Sequence, residues 1–206
     1  MMLRNFLCIC LLIIHSTVLY AENHQKKPVD EEFKSAVKHV DKKQFFEAYQ
    51  IFSSLAELGI PEAQFNLALL YSNGLGVPKN FKLALYWSWQ AHLNNHETAI
   101  DRVNKTYDLI NEDLRNSVAE TIIEELVTSA QAGDKEAPLK LGKTYLGLFV
   151  EAQNLPAYLW LSISQAYGEE RASALLEEAT SQMTLEEVLA QQEQAQKSFD
   201  EIIKNN

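Results

Sequence analysis

One helix-and-turn pattern recurs along this chain, and that recurrence constrains its fold more than any other feature. From Ala48 the series Ala48, Ile51, Phe52, Leu55, Ala56, Gly59, Ala63 steps at helical spacing through a glycine. Shifted by 36 residues it returns as Ala84, Trp87, Ser88, Ala91, His92, Asn95, Ala99, and it returns again as Ala157, Trp160, Leu161, Ser164, Gln165, Gly168, Ala172. A longer duplication lies over it: Ala63, Leu67 and Tyr71 recur as Ala137, Leu141 and Tyr145, and the offset slips from 74 to 73 in the following loop. A unit of this kind cannot bury its apolar face alone, so copies must stack on one another.

Helical punctuation supports that organisation. The apolar positions Phe33, Val37 and Val40, then Phe45, Ala48, Ile51, Phe52 and Leu55, predict two helices ending at Gly59. Pro61 suits a first helical turn, Gly74 and Gly76 permit backbone angles that other residues resist, and Asn80 predicts the cap of a helix that runs to Asn94-Asn95. Asn111 is a second predicted N-cap, and Thr184 with Glu187 forms a capping box by residue type. No segment alternates long enough for a convincing strand. The expected layout is a signal peptide over 1–21, a flexible leader over 22–29, an N-terminal helical hairpin over 30–60, and two modules over 61–132 and 133–206.

The first 21 residues combine Arg4 with the uninterrupted apolar run Phe6 to Ile14 and the small residue Ala21, the pattern of a cleaved secretory signal. The rival reading, a membrane anchor, has to count His15, Ser16 and Thr17 as apolar span, and the uninterrupted run is shorter than the roughly 20 residues a bilayer requires. Cys8 and Cys10 leave with the signal, so no disulfide framework is expected and burial must hold the fold. Loss of Arg4 leaves 17 basic residues against 28 acidic ones. That balance speaks against nucleic acid and anionic membranes as partners.

The run Ala63-x3-Leu67-Ala68-x2-Tyr71-x2-Gly74-x-Gly76-Val77-x6-Ala84-x2-Trp87-x3-Ala91 resembles the Sel1-like repeat, a relative of the tetratricopeptide repeat. Its specific element is the glycine pair followed by valine. The second copy keeps Leu141-Gly142-x2-Tyr145 but carries Gly147-Leu148-Phe149-Val150 in place of the glycine-rich loop. The resemblance implies an all-α fold, an α-α superhelix of helical hairpins, whose first helices line a concave groove. Under it, Leu67, Tyr71 and Trp87 fill the space between helices. The groove-facing positions are Phe65, Asn66, Leu69 and Leu70 in the first module and Lys140, Lys143 and Thr144 in the second. Phe65 and Leu69 are costly to leave bare, so a partner or the extra helices should cover them.

Bond chemistry finds little to build on. His92 and His96 stand four apart, a spacing suited to a metal on a continuous helix, with Glu97 beside them, but Asn94-Asn95 interrupts the pattern. Ser129, Ser162 and Ser164 have no nucleophile motif around them, Gly74-x-Gly76 lacks the lysine of a phosphate loop, and the acidic pairs read as solvated helix faces. Asn104-Lys105-Thr106 matches a glycosylation sequon with nothing to support it.

No catalytic residue, cofactor or metal is therefore expected. The chain reads as an exported protein, periplasmic or secreted, that binds another protein or peptide through Phe65, Leu69, Trp89 and Lys143. Trp89 is even between anchor and core, since it points away from the repeat position of Trp87. The resemblance extends to envelope maintenance or host interaction as the setting. The competing reading is a cell-wall-directed enzyme or carbohydrate binder, and a third is an assembly subunit that oligomerises through its helical ends.

Overall fold

A computed structural model describes residues 28–206; the expected signal peptide over 1–21 and residues 22–27 lie outside the described residues. Among those described there are ten helices and no strand. Residues 28–41 form α1. There follow α2 (Phe45–Glu57), α3 (Pro61–Asn73), α4 (Phe81–Leu93), α5 (Ala99–Tyr107), α6 (Glu112–Gln131), α7 (Ala137–Gly147), α8 (Asn154–Ala166), α9 (Ala172–Thr180) and α10 (Leu185–Asn205). Pro28 and Val29, expected in the leader, belong to α1 instead. A first-turn proline has no N–H to leave unpaired, and Val29 packs on the first apolar core, so helix outcompetes coil there.

The caps fall where the residue types place them. Asn80 accepts a hydrogen bond from the Leu83 N–H, Asn111 from that of Leu114, and Thr184 exchanges bonds with Glu187 in a complete capping box. Gly74 closes α3 in the left-handed region at φ 70°.

Packing runs from neighbour to neighbour. Helix α3 lies on α2 and α4, α4 on α5 and α6, α7 on α6 and α8, and α8 on α9 and α10. The apolar cores overlap in the same way. Ala36, Phe52, Leu55, Leu67 and Ala84 centre the first, and Leu85, Trp89, Val103, Ile122 and Leu141 the second. Leu139, Leu161 and Ala172 hold the third, and Ile163, Ala195 and Ile202 the last. Helix α4 serves two cores through adjacent residues, Ala84 and Leu85, and α7 does so through Leu139 and Leu141. Each large aliphatic side chain buried in this way contributes about 1.5–3 kcal/mol, distributed along the chain rather than at one centre. The fold is an all-α superhelix of stacked helical hairpins, and no helix among the described residues is long and apolar enough to cross a membrane.

Candidate partner-binding surface

The surface of interest lies where α3, α4 and α7 come together, around the end of α4. Asn95 adopts a left-handed backbone at φ 65°, so the chain leaves the helix between His92 and His96. The two imidazoles take different ring partners. His92 packs on Trp89, with ring centroids 5.0 Å apart, while His96 stacks on Phe65 at 4.2 Å and 11°. Nδ1 of His96 is buried without a hydrogen-bond partner among the described residues. No group of three metal-ligating side chains occurs among those residues.

A ladder of polar groups crosses the joint between the repeats. The Gln64 amide donates to the Ala56 carbonyl at 3.1 Å and accepts from Asn94 Nδ2 at 2.9 Å. Asn94 Oδ1 in turn accepts from Lys140 Nζ at 2.8 Å, and Lys140 stands 3.7 Å from Glu136. Beside this ladder, Arg171 donates through Nη1 to Asn95 Oδ1 at 3.3 Å and grips both carboxylate oxygens of Glu169, at 2.8 and 2.6 Å. That grip holds the Glu169 carboxyl down at about 2. Buried polar groups need such partners, and here the partners come from α2, α3, α4 and α7 at once.

Lys143, one turn beyond Lys140 on α7, is half-buried, and its charge is felt by His92 as those of Arg171, Lys140 and Glu169 are felt by Lys143. Burial pushes its ammonium below the usual lysine value, Arg171 and Lys140 push the same way, and Glu169 opposes them. Burial likewise lowers His92, with Lys143 adding to it, which favours the neutral imidazole.

The expected groove residues divide accordingly. Phe65, Asn66, Leu69, Lys140 and Lys143 are half-buried and retain accessible surface. Phe65 is covered on one face by His96, from the turn that leads into the extra helix α5, so the protein supplies that part of the cover itself. Leu70 and Thr144 are buried instead of facing outward. Trp89 corrects the expectation of a partner anchor: it is 2% exposed, donates its indole N–H to Thr144 Oγ1 at 3.0 Å, and belongs to the second core. Trp87, expected in the core, is only half-buried, against the first core. The repeat pattern records contacts between adjacent helices, and Trp89 faces a helix 55 residues away.

Sequence reasoning also missed Gln64, Asn94, Asn95 and Arg171, which organise this surface. The Asn94-Asn95 pair carried a signal, but only as a helix stop. Elsewhere the serines considered for catalysis are engaged: Ser129 donates to Asp134 at 2.8 Å and Ser162 to the Tyr158 carbonyl at 2.8 Å, while Ser164 is buried without a partner among the described residues. Near the C-terminus a cleft of about 340 Å³ is lined by Gln131, Trp160, Ser198, Glu201, Ile202 and Asn205.

Stacked helical hairpins joined by polar side chains place the chain among α-helical repeat proteins. The Sel1 repeat family model matches residues 61–88, so the chain carries a Sel1 repeat formed by α3, its glycine loop and the first part of α4. No curated protein matches the sequence significantly. Among solved structures, a Sel1 repeat protein from Oxalobacter formigenes is similar at 18% identity and TM-score 0.29, over 82% of this chain and 88% of that one. A protective antigen of uropathogenic Escherichia coli strains displaying an SLR fold is similar at 17% identity and TM-score 0.32, over 91% of this chain and 48% of the antigen.

Proposed function

We propose that this chain is an interaction scaffold that holds another protein or peptide on the surface between its two repeats. The observation that carries this reading is the joint itself: α3, α4 and α7 bring Phe65, Leu69, His92 and Lys143 onto neighbouring helices, and the Gln64–Asn94–Lys140 ladder holds those helices in register. Surfaces of this kind, apolar and aromatic with a few fixed polar groups, suit recognition of a polypeptide. Sel1 repeats commonly serve as protein-binding scaffolds, which agrees with a surface built for contact. We further propose export, to a periplasm or beyond, from the signal-like residues 1–21, and a role in envelope maintenance or host contact.

Capture from envelope extract tests the reading. The full chain, expressed with its own N-terminal segment, is compared with Leu69→Asp/Lys143→Glu and with Leu109→Asp, a substitution at an exposed position elsewhere. A partner retained by the native chain and by Leu109→Asp but lost by the folded double variant supports the surface. Retention by all three moves the site away from the joint.

A further inference from the structure

Helix α10 carries two stripes of seam-forming residues, and the core occupies only one of them. Val188, Ala195 and Ile202 recur at heptad spacing and pack on the third and fourth cores. On the adjoining face, Leu185, Leu189, Gln192, Gln196, Phe199 and Ile203 alternate at intervals of four and three residues, the spacing of a coiled-coil seam. Phe199 is half-buried against the fourth core, but Leu185, Leu189 and Ile203 belong to none of the four cores and are 75, 53 and 55% exposed. A lone exposed leucine is ordinary. A seam-spaced row along a helix of 21 residues, about 30 Å in length, marks an interaction site.

The seam also borders a cleft of about 200 Å³, walled by Ser162 and Ala166 of α8 and by Gln192, Gln196 and Phe199 of α10. Small residues on α8 leave room there for a side chain from outside. At the middle of the seam, Gln192 donates to the Tyr158 hydroxyl at 3.2 Å and Gln196 to Asp200 at 2.8 Å. Each of these amides has a second N–H and a carbonyl oxygen with which to bond another chain.

The residue order of the seam is its own complement. Laid antiparallel on a second copy, Leu185 falls opposite Ile203, Leu189 opposite Phe199 and Gln192 opposite Gln196, and each pairing occurs twice about a two-fold axis. Apolar residues then meet apolar ones, and the amides meet at the centre, where a polar layer fixes register. The charged edge agrees with this register: Glu193 comes within one turn of Lys197 of the second copy, and Glu186 of Lys204. None of these four side chains is ion-paired among the described residues. A parallel pairing would set Glu186, Glu193 and Asp200 against Val188, Ala195 and Ile202, with no cation to meet them. Two chains of formal charge -10 repel each other, but charges more than about 8 Å apart are screened at physiological ionic strength, so the local pairs count for more than the total.

We infer that the chain associates with a second copy of itself through antiparallel pairing of the two α10 helices, in the register that sets Leu189 against Phe199. The inference does not depend on the partner-binding reading, which concerns α3, α4 and α7; a dimer of this kind carries two such joints.

Sedimentation equilibrium of the full chain, expressed with its own N-terminal segment, tests the pairing. A monomer–dimer equilibrium is expected. Leu189→Glu should weaken it at least about tenfold, and Leu109→Asp, at an exposed position in the α5–α6 turn, should leave it unchanged. Circular dichroism reports whether each variant remains folded. Glu193→Lys and Lys197→Glu should each weaken association, and a chain carrying both should recover it, because the exchange restores a pair of opposite sign. A photoreactive side chain at residue 189, in a mixture of ordinary and heavy-isotope chains, should label the segment around residue 199 of the other copy.

A monomer at every concentration, or a dimer that Leu189→Glu leaves intact, would overturn the α10 interface. Labelling of residue 189 by its own counterpart, or no recovery in the charge-exchanged chain, would overturn the antiparallel register. A foreign protein labelled from residue 189 in extract, with the isolated chain monomeric, would overturn self-association in favour of a different helix on the seam.

Discussion

In the first repeat the chain passes from α3 to α4 through Gly74 and Gly76, both left-handed, and Gly76 lies so close to the preceding hairpin that any Cβ would overlap the Phe45 carbonyl. In the second repeat the corresponding turn, residues 147–150, has no left-handed residue. Arg115 of α6 holds it instead, donating to the carbonyls of Leu148 at 2.7 Å, Phe149 at 2.6 Å and Gly147 at 3.3 Å, while its guanidinium lies 3.7 Å from the Tyr107 ring centre. Tyr107 adds a bond of 3.1 Å to the Gly147 carbonyl. Both loops dock on the first turns of the helix that precedes their own hairpin, α2 in one case and α6 in the other. One achieves the contact by removing atoms, and the other by adding a cation. A repeat thus loses its glycines without losing its shape when a neighbouring helix supplies donors for the exposed carbonyls.

The largest break in this comparison should come from Gly76→Ala. A left-handed alanine pressed against backbone has no rotamer by which to escape, and a loss of at least about 3 kcal/mol is expected in denaturant unfolding. Arg115→Ala should cost about 2 kcal/mol, because three carbonyls lose a charged donor in a partly buried place. The double variant should equal the sum of the two within about 0.5 kcal/mol, since the loops share no partner. A clear departure from additivity would mean that the repeats communicate through more than the α4–α7 joint. Gly147→Ala should cost only about 1 kcal/mol: its backbone is ordinary, and the new Cβ meets the Trp89 ring edge at 2.9 Å.

The smallest effect is a pH dependence. Burial lowers His92 in the folded state below its ordinary value of 6.5, so the unfolded chain takes up a proton first and stability falls as pH drops through about 6.5. Glu169, held at about 2 by Arg171, contributes fully above 4.5 and loses its contribution as pH falls from there toward 2. Melting temperature against pH should therefore decline in two windows, and His92→Gln should remove only the upper one.

Much of the scaffold was legible because it is written in local chemistry. Asn80, Asn111 and Thr184 mark helix starts by what a short polar side chain does for unpaired N–H groups, and Gly74 marks a stop by what it lacks. The surface was less legible because its contacts are long in sequence. Gln64 and Asn94 are 30 residues apart, Asn94 and Lys140 are 46, and Asn95 and Arg171 are 76. No periodicity reports such pairings. Trp89 shows the same limit from the other side: its place off the repeat pattern suggested an outward anchor, yet the face it turns to is occupied by α7 through Thr144.

A photoreactive side chain placed singly at residues 69, 143, 109 and 185 of the full chain, exposed to native envelope extract, tests the binding surface most directly. One shared crosslinked partner is expected from residues 69 and 143, on α3 and α7, and none of it from 109 or 185, exposed positions in the α5–α6 turn and at the start of α10. The same partner from 109 or 185, without labelling from 69 and 143, would contradict it.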